Sequence, residues 1–387
     1  MRVDSFSGVF LTLLVFIPGA VVAQDAAALA QKTEISALRA ELDALRTDYE
    51  VRIAELEQRL AIAEQNAEQN HGASQVVPAP APPSNSNAAF NPAIGVVFQG
   101  FLSGVDGEPG EEEGFAVGET ELIMSANVDD KFSAYLTAAL AFEDGESEFE
   151  LEEAWIETTA LPAGFRARFG RMFSGIGYLN AKHAHTWDFA DQALPYEAFL
   201  DGRYVDNGAQ LRWLAPTDLY FELGGELMQG EGDPQGLGGI TVFANLGGDI
   251  GADHSWLAGV SRLEQDAGQE LHVAHIVWKW APDGNWKQKN FIFQAEYLEN
   301  SDLRTDDGWY AQAVFQPVPR WRIGARFDSV DLEADDPSRS TVMLDWSNSE
   351  FSRVRLQASR LEAGTTTENA WTLQYIHSIG AHGAHTF

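Results

Sequence analysis

From about residue 93 onward the chain alternates apolar and polar residues in short runs broken by Gly, Asp, Asn and Pro. A period of two puts successive side chains on opposite faces of a β-strand. Between Lys131 and Phe142, one face carries Phe132, Ala134, Leu136, Ala138, Leu140 and Phe142, and the other Ser133, Tyr135 and Thr137. Leu219, Phe221, Leu223 and Leu227 alternate with Tyr220, Glu222 and Glu226. Trp321, Ile323, Ala325 and Phe327 alternate with Arg320, Arg322, Gly324 and Arg326. The pattern predicts strands near 93–105, 115–127, 131–143, 148–159, 165–173, 207–214, 218–229, 237–247, 255–263, 270–281, 289–299, 308–317, 320–330, 339–347, 350–361 and 370–387. A soluble sandwich would turn the apolar face inward, whereas a membrane barrel has a polar lumen and an apolar exterior. Alternation alone does not separate the two.

The connections do. One set is mostly short: Val128-Asp129-Asp130, Ala215-Pro216-Thr217, Gln316-Pro317-Val318-Pro319 and Ser347-Asn348-Ser349. The other is acidic: Asp106 to Glu113, Asp144 to Glu148, Glu231-Gly232-Asp233, Asp302 to Asp307 and Asp331 to Asp336. Short turns at one end and longer loops at the other are the asymmetry of outer-membrane barrels, and an even strand count leaves both termini in the periplasm. The expected fold is therefore all-β and transmembrane, an antiparallel outer-membrane barrel of about 16 strands over 93–387, preceded by an α-helical coiled coil.

That helix is expected over 24–70, a stretch rich in Ala, Glu, Gln, Arg and Leu without Gly or Pro. Ile35, Leu38, Leu42, Leu45, Tyr49, Ile53, Leu56, Leu60 and Ala63 step by three and four, with one four-four step at Tyr49–Ile53. Such a seam is a heptad repeat with a stutter. Residues 71–92, with Pro78, Pro80, Pro82 and Pro83 among Ser and Asn, read as a semi-rigid linker. Residues 1–23 read as a signal peptide: Arg2, an apolar run from Gly8 to Ile17, and a small-residue cleavage site at Val21-Val22-Ala23.

Composition narrows the partners. Lys+Arg 25 against Asp+Glu 58 makes nucleic acid an unsuitable partner, because phosphate binding needs clustered cations. Acidic outer loops would suit divalent-ion bridging to lipopolysaccharide, or attraction of cations. The chain has no Cys, so no disulfide framework is expected.

If the Phe132-type positions face lipid, the channel is lined by Arg166, Arg168, Arg212, Arg320, Arg322, Arg326, Arg353 and Arg355, with Glu119, Glu121, Glu222, Glu226 and Glu296. Charged walls of both signs orient solutes and set ion selectivity. One long connection, about 174–206, is the third outer loop by strand count, and loops of that length are usually functional. Its Lys182, His183, His185, Asp188, Asp191 and Arg203 are candidate functional residues, and a resemblance to porins would make them constriction residues. His183 and His185, near Asp188 and Asp191, are candidate zinc-type ligands. The other histidines toward the end, His377, His382 and His385, are expected to be structural. Glu152 and Glu153 are adjacent, so regular strand geometry predicts opposite faces. No nucleophile elbow, His-Glu-x-x-His or phosphate loop occurs, so neither enzymatic activity nor an organic cofactor is expected.

Leu151-Glu152-Glu153-Ala154-Trp155-Ile156-Glu157, followed by Phe169-Gly170-Arg171-Met172-Phe173, is similar to the phosphate-selective porin family, and the whole layout resembles coiled-coil-bearing bacterial porins. The end of the chain, Phe387 with Leu373, Tyr375, Ile379 and Ala381 on its parity, resembles the terminal aromatic signal of such barrels. The resemblance implies a homotrimer in the bacterial outer membrane, with the coiled coil in the periplasm and the third loop folded into each channel. Three readings follow: passive diffusion of small hydrophilic solutes or ions, a metal-ion (zinc-type) binding and uptake channel, or a structural outer-membrane tether using the coiled coil. The long loop carries Lys182 and Arg203 but no dense basic cluster, which counts against phosphate selectivity.

Overall fold

The computed structural model describes residues 92–106, 114–143, 146–230, 238–265, 268–301, 306–332 and 336–380. The expected signal peptide, coiled coil and most of the linker lie outside the described residues, as do most of the acidic loop tips and His382, His385 and Phe387.

The described residues form sixteen strands: β1 (Ala93–Asp106), β2 (Gly114–Val117 and Thr120–Asn127), β3 (Phe132–Glu143), β4 (Glu146–Thr158), β5 (Phe165–Phe173), β6 (Val205–Leu214), β7 (Tyr220–Met228) and β8 (Gly239–Ile250) in the first half. The second half adds β9 (His254–Gln265), β10 (Glu270–Trp280), β11 (Asn290–Asn300), β12 (Asp306–Val318), β13 (Trp321–Asp331), β14 (Ser338–Ser349), β15 (Ser352–Ala363) and β16 (Thr366–Gly380). The two halves of β2 count as one strand because both pair with β1, from Gly100↔Val117 to Val97↔Glu121 across the Gly118-Glu119 break. Every strand pairs antiparallel with its sequence neighbours, and β16 returns to β1 from Gly95↔Gly380 to Asp106↔Asn369. The sheet is a closed barrel without an edge.

The faces carry the membrane sense of the alternation. Outward positions are apolar and exposed, among them Leu223, Val242, Val260, Ile323, Val342 and Leu356. Rings cluster toward both ends of this exterior, with Phe165–Trp213 (6.3 Å) and Trp321–Trp346 (6.2 Å) near the short turns and Trp309–Phe327 (5.4 Å) toward the long loops. Aromatic girdles flanking an apolar band are the signature of a membrane-spanning barrel. Inward positions are polar and buried: Gln99, Glu121, Thr137, Gln210, Glu226, Gln294 and Arg355.

Two departures from regular geometry matter for the lumen. In β4 the register slips by one residue between Thr137 and Ala138 of β3, so that Glu153 pairs with Thr137 but Leu151 with Ala138. Glu152 is the extra residue of this bulge, and a bulge re-aims the side chain it inserts. Both Glu152 and Glu153 consequently lie buried inside, which corrects the expectation of opposite faces. Arg320 also departs from expectation. It occupies the tight β12–β13 turn with φ 74, exposed, so it does not line the channel.

Candidate functional site

The connection between β5 and β6 folds into the barrel. Its two ends meet: the Ser174 amide donates to Tyr204 O (3.0 Å), and the Asn180 amide group donates to Ser174 O (2.8 Å) and Tyr204 O (2.9 Å) while its oxygen accepts from the Tyr204 amide (2.7 Å). Both ends of the loop are thereby held at the wall. Gly177 has φ +67, and a Cβ there would lie 2.2 Å from the Tyr196 hydroxyl, so only glycine fits this turn. A short helix, α1 (Leu194–Leu200), packs against β12 and β13.

Wall carboxylates anchor the first part of the loop. Glu226 accepts from Ser174 Oγ (2.5 Å), the Gly175 amide (2.8 Å) and Gln210 (2.6 Å). Glu296 accepts from the Tyr178 amide (2.7 Å), the Leu179 amide (2.9 Å), the Tyr196 hydroxyl (2.9 Å) and the Tyr310 hydroxyl. Around these polar anchors, Met172, Ile176, Leu179, Tyr196 and Leu298 form an apolar cluster inside the barrel. The aromatic and aliphatic content of the loop thus packs on the inner wall. A Glu296→Ala variant should leave four donors unsatisfied and loosen this stretch, because each buried orphan costs about 1–3 kcal/mol. Hydrogen exchange at the Tyr178 and Leu179 amides should accelerate by orders of magnitude, and unchanged protection would refute the anchoring role.

The later part of the loop meets a ladder of guanidiniums on β13, β14 and β15. Arg322 pairs with Asp188 (2.7 Å) and Asp345. Arg326 pairs with Asp328 (2.9 Å) and Asp191 (3.0 Å) and also donates to Asp191 O (2.9 Å) and Gln192 O (3.1 Å). Arg339 reaches Asp191 (3.1 Å) and Glu197 (3.2 Å). Arg353 donates to His185 O (2.7 Å), and Arg355 to Trp187 O (2.7 Å) and Asp345 (2.9 Å). These five arginines face five carboxylates, Asp188, Asp191, Glu197, Asp328 and Asp345. Burial alone would raise the Asp191 carboxyl, but the Arg326 and Arg339 guanidiniums hold it below the usual carboxylate range.

The histidines go elsewhere. His183 Nε2 lies 3.0 Å from Glu153, its Nδ1 3.4 Å from Glu152 and 3.5 Å from Glu121, and His185 Nδ1 is 2.8 Å from Glu121. Burial opposes a charged imidazole at His183, yet the surrounding Glu152, Glu153 and Glu121 push its pKa up to about 10. Arg203 pairs with Glu152 (2.8 Å) and lies 3.7 Å from Glu119. Asp188 and Asp191 are bound to the arginine ladder instead, which corrects the expectation that they join the histidines.

Of the remaining expected lining residues, Arg168 pairs with Glu157 (2.9 Å) beneath the ring of Trp155 (3.8 Å), and Arg212 lies 3.6 Å from Glu222. Arg166 has the lumen parity but is largely exposed beside Glu157 (3.6 Å). Sequence reasoning missed Arg339, Asp345 and Asp328, although the parity of β13 and β14 contained them. Glu152 could not be found that way, since only the bulge turns it inward.

Beside the loop a cavity of about 450 Å³ remains, lined among others by Lys182, Asp188, Lys279, Gln294, Gln312 and Arg353. Burial, with Lys279 nearby, pulls the Lys182 ammonium down to about 8.

An uncharacterized protein of Aquifex aeolicus (strain VF5) is 30% identical over 357 residues, covering 76% of this chain and 74% of that protein. The two chains belong to one family. No family model matches the sequence. Among solved structures, the anion-selective porin from Comamonas acidovorans superposes with a TM-score of 0.56 at 9% identity, over 75% of this chain and 99% of that one. OprB of Pseudomonas putida gives 0.54 at 8%, over 76% and 95%, and the outer membrane channel DcaP of Acinetobacter baumannii 0.52 at 10%, over 75% and 97%. At such identities the likeness is one of fold, and the fold is that of porins.

Proposed function

We propose that this family member is an outer-membrane porin through which small hydrophilic solutes or ions diffuse passively, narrowed by the loop 174–206. The observation that carries the reading is the loop itself, folded against a polar inner wall yet leaving a charged cavity of about 450 Å³ beside it. A sixteen-strand barrel is wide enough for an aqueous channel, and a loop inside it sets the cutoff. Phosphate selectivity draws no support from the wall, because each arginine of the ladder is matched by a carboxylate. Assembly as a homotrimer, with the coiled coil in the periplasm and the acidic loops toward lipopolysaccharide, belongs to the same proposal. One Vibrio cholerae OmpT structure of similar fold is described as a trimer form, with a TM-score of 0.51 at 9% identity.

Swelling of proteoliposomes in neutral sugars of graded size tests the reading. Small sugars should enter and oligosaccharides should not. Swelling no faster than in protein-free vesicles would overturn the channel function.

A further inference from the structure

Where the loop meets β2 and β4, the side chains are arranged in two tiers. The outer tier is fully engaged. His183 Nε2 is held by Glu153 (3.0 Å), Glu121 Oε1 by His185 Nδ1 (2.8 Å), and Glu152 Oε1 by Arg203 (2.8 Å). Each of the three inner residues therefore has one atom fixed and one atom left over. The leftover atoms are His183 Nδ1, Glu121 Oε2 and Glu152 Oε2; none makes a well-formed hydrogen bond, and the imidazole nitrogen faces the two carboxylate oxygens at 3.5 and 3.4 Å. They converge, all lying within 4.8 Å of one another. The side chains are 10%, 0% and 3% exposed, so bulk solvent scarcely reaches them. Two buried carboxylate oxygens that share this one imidazole nitrogen form a negative pocket, which a divalent cation can fill in place of the ring proton.

Charge points the same way. Glu119, Glu121, Glu152 and Glu153 gather here, and Arg203 is the guanidinium paired with this group. The barrel goes out of its way to bring Glu152 in, since only the β4 bulge turns it toward the lumen. Spacing then identifies the class of occupant. An ion about 2.1 Å from each ligand in a tetrahedral site sets ligand atoms about 3.4 Å apart. His183 Nδ1 is 3.5 Å from Glu121 Oε2 and 3.4 Å from Glu152 Oε2. One imidazole among the donors favours a transition metal over calcium or magnesium, which take oxygen ligands. The carboxylate behind the imidazole is the usual outer-shell partner of a metal-bound histidine, fixing its tautomer.

We propose that Glu121, Glu152 and His183 are the three protein ligands of a resident divalent transition-metal ion, of which zinc is the representative, with the fourth position left to water. The site differs from the pair His183 and His185 that sequence spacing suggests, because His185 orients Glu121 from outside and offers its Nδ1 to that carboxylate. The ion ties the loop to β2 and β4 at one point, and its role is structural, away from the permeating cargo. Zinc binding at this point does not depend on whether the barrel conducts.

The test is zinc binding by the full-length protein, extracted folded in detergent, stripped with a chelator and titrated calorimetrically. A single zinc per chain should bind, and Glu121→Gln and Glu152→Gln should each weaken it by about 100-fold or more. Folding of the variants is checked by heat-modifiable migration in gels. Cobalt(II) provides a second measurement on the unmutated protein, giving intense visible bands in a tetrahedral nitrogen–oxygen site and faint ones when bound to exposed carboxylates. Absence of zinc uptake would overturn the proposal and leave a proton on His183 as the balancing charge. Equal binding by both variants would also overturn it, by assigning the zinc to the acidic loops.

Discussion

Asp345→Ala should destabilise the barrel by about 3–5 kcal/mol, the cost of stranding buried charge when one partner is removed. Asp345 is fully buried and serves three guanidiniums, Arg355 at 2.9 Å, Arg353 at 3.9 Å and Arg322. Arg355 is itself 0% exposed, so solvent cannot screen what the substitution leaves behind. Its other partners, Gln374 Oε1 (2.9 Å) and Trp187 O (2.7 Å), are neutral. Three positive groups would then repel one another along β13 and β15, and the loop held by Arg353 and Arg355 would lose its backing. Urea unfolding of the refolded barrel, followed by tryptophan fluorescence, measures the loss. A change under about 1 kcal/mol, the scale of an exposed ion pair, would show that the ladder is solvated rather than buried.

The second large effect is on conductance. Because Ser174 and Tyr204 are already hydrogen-bonded and β5–β6 pairing runs to Phe173↔Val205, residues 176–202 can be replaced by a tight Gly-Gly turn without parting the strands. The shortened barrel should insert normally and show a single-channel conductance higher by roughly two-fold or more, since a sixteen-strand lumen without an inner loop is an open aqueous channel. The same deletion removes Asp188, Asp191 and Glu197 while leaving the wall arginines, so ion selectivity should move toward anions. A deletion that inserts but conducts as before would mean that ions bypass the loop, contradicting its part as the narrow point.

Much of this architecture is legible in the sequence because a barrel repeats one local rule. Phe132, Leu223, Ile323 and Leu356 report the lipid face directly, and the short turns at Val128-Asp129-Asp130 and Ala215-Pro216-Thr217 report strand count. The same rule supplied Arg322, Arg326 and Arg355. It failed where the backbone breaks step. The single inserted residue at Glu152 reverses a face, and parity carries no sign of it. Arg320 reads as the start of a strand because Trp321 and Ile323 continue its alternation, but the two-residue turn holds it in a left-handed conformation. Loop pairing was beyond reach for a different reason. Asp188 and Asp191 are neighbours of the histidines in sequence, yet their partners, Arg322, Arg326 and Arg339, lie more than a hundred residues away. Only the closed sheet brings those together.

For the proposed porin to work, its polar lumen must be an open path narrowed by one loop. Planar-bilayer recording of the purified full-length protein tests it most directly. Discrete, ohmic conductance steps that scale with bulk salt are expected. A barrel that inserts and yet produces no steps would contradict it.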